Sequence, residues 1–209
     1  MSAGLDGSAG VIVGNQYDKY GTRNPVARWL MDRFLAEVVA LARHEAPRNA
    51  LEVGCGEGKL AHHLVRAGVC SNQFTATDCS LERVDDMVDR RIYFAEASAY
   101  ELPYADGHFD LVLCCEVLEH LERPATAMAE LARVARLGVV VSTPREPLWR
   151  VLNMARGHYL DALGNTPGHI QHFSSAELVA LAARELHVVT VRKPIPWTIV
   201  RGRPRLGDR

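Results

Sequence analysis

Residues 114–124 read CCEVLEHLERP, a segment that begins as an apolar strand and passes within a few residues into two glutamates and a histidine. If a helix starts near Glu116, a turn of about 100° per residue puts Glu119 at about −60° and His120 at about +40° from it, so the three side chains share one face. Two carboxylates and an imidazole in one arc form a ligand set for a divalent cation. Carboxylate oxygens suit Mg2+ or Mn2+, and imidazole draws preference toward transition metals. Acids in a first helical turn also suit the helix dipole, and a histidine there can cap or pack. The segment alone leaves both readings open. A second pair, His169 and His172 in GHIQHFSSAEL, stands just before a helix start marked by Ser174 and Ser175. The chain there turns back over the strand ends.

A different chemistry belongs to LEVGCGEGKLAHHL, which sets Glu52, Gly54, Gly56 and Gly58 between a strand and a helix. Glycines at such a turn permit positive φ and bring backbone N–H groups close to a ligand at a helix amino terminus, though a tight turn alone also uses them. The spacing G-x-G-x-G differs from the dinucleotide pattern, and the acid two residues before it suits a cationic ammonium better than a pyrophosphate. Asp78 closes the next strand, where a carboxylate can accept hydrogen bonds from both hydroxyls of a ribose or cap the following helix.

These groups need a scaffold, and the rest of the chain supplies its pattern. Residues 1–23 are rich in Gly, Ser and Asp without sustained period and read as a mobile N-terminal arm. Asn24 and Pro25 mark a helix start, and apolar periodicity runs from there to about Ala46. Seven short apolar runs follow, at 50–53, 74–78, 92–97, 109–115, 137–143, 187–193 and 196–201. Helical patterns alternate with most of them: GKLAHHLVRA, SLERVDDMVDR, RPATAMAELARVAR and SSAELVALAAREL. Near-continuous apolar strands alternating with helices predict a mostly parallel seven-stranded α/β sheet with helices on both faces. The last two strands are too close for a crossover helix, so the last strand pairs antiparallel. Ligands of such sheets bind beyond the carboxyl ends of the strands. The expected organisation is one domain over 24–201, with a lid insertion at about 144–173 and a basic tail at 202–209.

Composition narrows the function classes. A net charge of −1 supplies no field for bulk nucleic acid. Five cysteines form no CxxC pair, and no leader or apolar membrane-spanning run is evident, which together suggest a reducing, cytoplasmic setting. The 21 arginines against 3 lysines carry no functional weight. The end segment KPIPWTIVRGRPR sets a tryptophan among basic residues, and this suits either a solvated tail or peripheral contact with an anionic membrane surface.

The glycine loop, Asp78 and LPYADGHFDLVLCCEVLEHL together resemble the class I S-adenosylmethionine-dependent methyltransferases, a likeness covering roughly residues 24–145. It implies a Rossmann-like fold, with Gly54, Gly56 and Gly58 against the methionine part of S-adenosylmethionine and Asp78 on its ribose. The next motif of that family usually reads G-D-A; here the corresponding residues are Ala97, Ser98 and Ala99, which leaves Ser98 or Glu96 for the adenine. The E-x-x-E-H spacing of Glu116, Glu119 and His120 resembles two metal-using groups, the ubiquinone-biosynthesis O-methyltransferases and the small-RNA 2'-O-methyltransferases. In the RNA enzymes a later histidine precedes an aromatic by four residues, as His169 precedes Phe173. Asn24, Pro25 and Arg28 echo the amino-terminal helix of the quinone enzymes. The resemblance thus implies a metal site of Glu116, Glu119, His120 and His169, with Mg2+ the expected ion and Mn2+ the alternative.

A cation beside the methyl donor implies an acceptor with two adjacent oxygens, because ligation lowers the pKa of a hydroxyl and orients it. His172 or His158 would then remove the proton. Tyr20, Arg145, Trp149, Arg150, Asn153, Arg156 and Tyr159 offer stacking and hydrogen bonds to a saccharide or glycoside. The arginine-rich character resembles that of actinobacterial sugar and polysaccharide O-methyltransferases, including the methylmannose-polysaccharide type. Alternatives are a quinone or catechol acceptor, a metal-independent C- or N-methyltransferase, or a binding relative without turnover.

Overall fold

Asn24 accepts hydrogen bonds from the Val26 and Ala27 N–H groups, and Pro25 occupies the first helical position, so α1 (Pro25–Ala42) starts where a donor would otherwise be orphaned. It continues as a short 3-10 turn at Arg43–Glu45. The computed structural model describes residues 24–155, 157 and 159–205; the predicted arm with Tyr20, the lid residues Arg156 and His158, and residues 206–209 lie outside them.

The seven expected strands form, close to the predicted bounds: β1 (Asn49–Val53), β2 (Gln73–Asp78), β3 (Ile92–Glu96), β4 (Phe109–Cys115), β5 (Ala135–Pro144), β6 (Leu186–Arg192) and β7 (Trp197–Pro204). They form one sheet in the order β3-β2-β1-β4-β5-β7-β6, in which β7 runs antiparallel to both its neighbours and the other pairings are parallel. Alternation along β4 explains the two-sided core: Leu111, Leu113 and Cys115 pack with α1 and with α2 (Lys59–Arg66), whereas Val112 and Cys114 pack with α3 (Pro124–Val134) and α5 (Ser175–Glu185). Putting both faces of β4 inside leaves its carboxyl end as the place where polar residues meet solvent.

Two expectations differ. SLERVDDMVDR forms turns and not a helix, because its side chains bond their own backbone: Asp85 accepts from the Met87 N–H (2.8 Å) and Asp89 from the Arg91 N–H (3.0 Å). Such local bonds compete with helical ones. The tail also begins later than expected. β7 runs to Pro204, Arg201 is fully buried against Glu45, and Arg203 bonds the same carboxylate at 3.1 Å. With Trp197 only 4% exposed, this strand is core and offers little of itself to a membrane surface. Among the described residues no helix is long and apolar enough to cross a membrane.

The lid is partly helical, as expected, with α4 (Leu148–Ala155) and a 3-10 turn at Leu160–Ala162. It ends at a capping box in which Ser174 and Glu177 satisfy each other's backbone N–H groups at the start of α5. Ser174→Ala should therefore cost about 1 kcal/mol and lower the melting temperature by about 2–4 °C. Thermal unfolding followed by circular dichroism reads this directly, and an unchanged melting point would mean the box adds nothing.

Candidate active site

The turn after β4 decides the geometry. Glu116 adopts φ 60°, a left-handed conformation unusual outside glycine, and its N–H bonds the Ser142 carbonyl at the end of β5. A helix therefore does not begin at Glu116; Leu118–His120 form a single 3-10 turn. The Glu116 carboxylate accepts from Trp197 Nε1 at 2.8 Å and Ser142 Oγ at 3.3 Å. The shared face expected of all three ligands thus becomes a division of labour. Glu119 and His120 turn toward the lid, and Glu116 ties the turn to β5 and β7.

Three hydrogen bonds bring the lid to this turn. The Glu119 carbonyl accepts from the Ile170 N–H (3.0 Å) and the Gln171 N–H (2.9 Å), and His120 Nδ1 lies 2.8 Å from the Gly168 carbonyl. His169 is thereby delivered to the site, buried and edge-on to His120 with ring centroids 4.9 Å apart. One ligand-type atom from each of Glu119, His120 and His169 lies within 4.8 Å of the others, while Glu116 is not part of that group. A carbonyl can only accept, so His120 must carry its proton on Nδ1, and its lone pair sits on Nε2. This is the usual backbone support of a metal-binding imidazole. Two imidazoles and a buried carboxylate suit a divalent ion.

Behind His169 stands a wall the sequence did not reveal. Trp149 stacks toward His169 at 6.3 Å and lies tilted to Trp197 at 6.1 Å, and Phe34 of α1 closes the row at 4.8 Å from Trp197. Trp149 Nε1 donates to Thr166 Oγ1 at 2.8 Å, and buried Asn153 bonds the Gly164 carbonyl at 2.9 Å and Thr166 at 3.2 Å. Arg150 braces the Leu163 carbonyl at 2.9 Å. Trp149 is only 8% exposed, so it supports the histidine and does not present a face for stacking on an acceptor. Arg145 and Tyr159 are half-buried.

On the far side of β1 the glycine loop forms as expected. Gly54, Gly56 and Gly58 all have positive φ (78°, 52° and 74°), and a Cβ at Gly54 would lie 2.4 Å from Val117 Cγ2. The loop therefore packs directly on the turn that carries Glu119. A Cβ at Gly56 would meet nothing within 4 Å, so this glycine borders open space. Asp78 accepts from the Gly56 N–H at 2.8 Å, which joins the loop to the end of β2. Ser98, exposed, accepts from the Tyr100 N–H at 3.2 Å, beside half-buried Ala99, and Glu96 accepts from the Leu81 N–H at 3.4 Å.

Glu52 is 2% exposed, and its Oε2 has no hydrogen-bond partner among the described residues. Burial, and then the neighbouring Asp78 charge, push its pKa up to about 8, with only the Ala61 N–H opposing them. A carboxylate with one unpaired oxygen, close to a glycine that borders open space, fits a cationic group. Burial also drives the thiols of Cys55, Cys114 and Cys115 well up, so they stay protonated and are poor nucleophiles.

A carboxyl whose folded pKa is raised stabilises the fold below its unfolded value and loses that contribution as pH rises toward the folded value. Glu52→Gln, which cannot ionise, should accordingly melt above the parent protein by a margin that grows between about pH 5 and pH 9. A margin independent of pH, measured without ligand, would place the Glu52 pKa near its ordinary value.

Residues 51–142 match the protein family described as Methyltransferase domain. The chain is 33% identical over 127 residues to 27-O-demethylrifamycin SV methyltransferase of Amycolatopsis mediterranei, covering 58% of this chain and 45% of that protein. It is 35% identical over 103 residues to a ubiquinone biosynthesis O-methyltransferase of Methylococcus capsulatus, covering 46% of this chain and 42% of that one. The chain thus spans less than half the length of these relatives. The solved magnesium protoporphyrin IX methyltransferase of Synechocystis PCC 6803, with bound SAH, superimposes with a TM-score of 0.65 at 18% identity, over 88% of this chain and 91% of that one, a likeness of fold. The matched stretch contains Glu52, the glycine loop, Asp78, Glu119 and His120, on the sheet order found here. Residues 51–142 thus resemble a methyltransferase domain, and the chain has the Rossmann-like fold of the class I methyltransferases.

Proposed function

We propose that this protein is an S-adenosylmethionine-dependent O-methyltransferase assisted by a divalent metal, acting on a small molecule with two adjacent oxygens. The observation that carries the reading is the convergence of Glu119, His120 and His169 within 4.8 Å, with the His120 tautomer set by the Gly168 carbonyl. S-adenosylmethionine supplies an electrophilic methyl group on a sulfonium. Gly54, Gly56 and Gly58 cradle its methionine part, Glu52 faces the ammonium, Asp78 holds the ribose, and Ser98 and Ala99 border the adenine. Glu119, His120 and His169 hold the ion, while Glu116 fixes the turn through Trp197 and Ser142. When bound, the ion supplies a Lewis acid that lowers the pKa of an acceptor hydroxyl. Two imidazoles to one carboxylate favour Mn2+ or another transition ion over Mg2+, which prefers oxygen donors. The lid residues Arg145 and Tyr159 flank the acceptor, and His172 takes its proton.

A saccharide or glycoside is the first acceptor class, because chelation of a vicinal diol explains why a metal would be needed. The burial of Trp149 removes one stacking surface from that reading. Likeness to a ubiquinone biosynthesis O-methyltransferase supports a catechol or quinol-type ring as the second class.

Transfer of label from S-adenosylmethionine to saccharide, glycoside and catechol acceptors should occur with added Mn2+ or Mg2+ and stop with EDTA. Full turnover in chelator would overturn the metal's role. His120→Ala and Glu119→Gln should each lower turnover by more than about a hundredfold with cofactor affinity unchanged. Parallel loss of cofactor binding would instead assign both residues to folding or to the cofactor.

A further inference from the structure

Glu146, which no sequence motif singled out, stands two residues after β5, and its N–H donates to the Phe173 carbonyl at 2.9 Å. That bond sets residue 146 beside the lid segment that returns over the strand ends. There the Glu146 Oε1 lies 3.8 Å from His172 Nδ1, with the Glu146 side chain 10% exposed and that of His172 38% exposed. Neither Glu146 oxygen has a hydrogen-bond partner at normal geometry among the described residues. A carboxylate sealed inside thus faces an imidazole open to solvent, just beyond hydrogen-bond distance.

We propose that Glu146 is a positioning residue for His172, orienting its imidazole and balancing its charge when it takes the proton of the acceptor hydroxyl. The inference rests on the O-methyl-transfer reading above. The acceptor O–H bond breaks and its proton goes to His172 Nε2. The oxygen lone pair forms the bond to the methyl carbon, and the C–S electron pair leaves with the sulfur, giving a neutral thioether. The imidazolium then faces Glu146 through Nδ1–H, as in other base–orienter pairs. His169, three residues earlier on the same segment, faces the metal-ligand group, while His172 faces Glu146. Burial raises the Glu146 pKa, against the Arg150 backbone N–H and then the His172 and Arg150 charges, which are the charged groups that face it.

The pairing is read without any acceptor. Imidazole NMR of the intact protein, with and without S-adenosylhomocysteine, should show His172 held with its proton on Nδ1 in the parent and losing that tautomer preference in E146Q, with E146D recovering part of it. An unchanged tautomer population overturns the pairing. Turnover is then read with a catechol probe and labelled S-adenosylmethionine. H172A should lower kcat by about a hundredfold or more, and E146Q should lower it less, with E146D partly restoring it and KM nearly constant. Parental kcat in E146Q overturns the role in proton transfer. Failure of the parent protein to methylate the catechol or a saccharide panel counts against O-methyl transfer itself, and the imidazole tautomer still decides the pairing.

Discussion

Everything in the site depends on the attachment of the lid to the turn after β4. The Glu119 carbonyl holds two successive lid N–H groups, and the Gly168 carbonyl holds His120 Nδ1. These bonds set the position of His169 relative to Glu119 and the tautomer of His120 in the same stroke. Without them the lid could still cover the strand ends, but its imidazole would have no fixed address. Buried backbone groups must find partners, so the register of this attachment is strongly specified. The row Phe34, Trp197, Trp149 and His169 backs it from the sheet side with apolar mass.

The glycine loop and the turn after β4 are mechanically one object. Gly54 leaves no room for a Cβ because Val117 fills that space, and Val117 belongs to the turn that presents Glu119 and His120. Displacement of the glycine loop is therefore felt at Glu119 and His120. The electrostatics differ between the two sides. Glu52 and Asp78 stand together with one carboxylate oxygen of Glu52 unpaired, an arrangement that disfavours two negative charges until a cation joins them. Glu116 by contrast is held by an indole N–H and a hydroxyl and has a structural task.

The sheet was legible because β-strands buried on both faces must be apolar throughout, and the seven runs carry that signature. The helix expected at 80–90 does not form, because its apolar period carries no sign of the competition from Asp85 and Asp89 for nearby backbone N–H groups. The grouping of Glu119, His120 and His169 was legible from type and spacing, but the place of Glu116 was not. Sequence spacing assumes helical geometry, and a left-handed residue at 116 breaks that assumption. Trp197, Ser142, Thr166 and Glu146 carried no local signal, since each acts through a partner far along the chain: Trp197 reaches Glu116 across 81 residues. Trp149 was read as an acceptor surface because an exposed and a buried tryptophan look alike in a lid helix.

The proposed chemistry needs Glu119, His120 and His169 together to grip a divalent ion beside the methyl donor. Anomalous diffraction from crystals grown with Mn2+ and S-adenosylhomocysteine tests this most directly. One strong peak is expected within coordination distance of all three side chains, lost in a His169→Ala crystal. A site with no anomalous density, or a peak held by other residues, would contradict it.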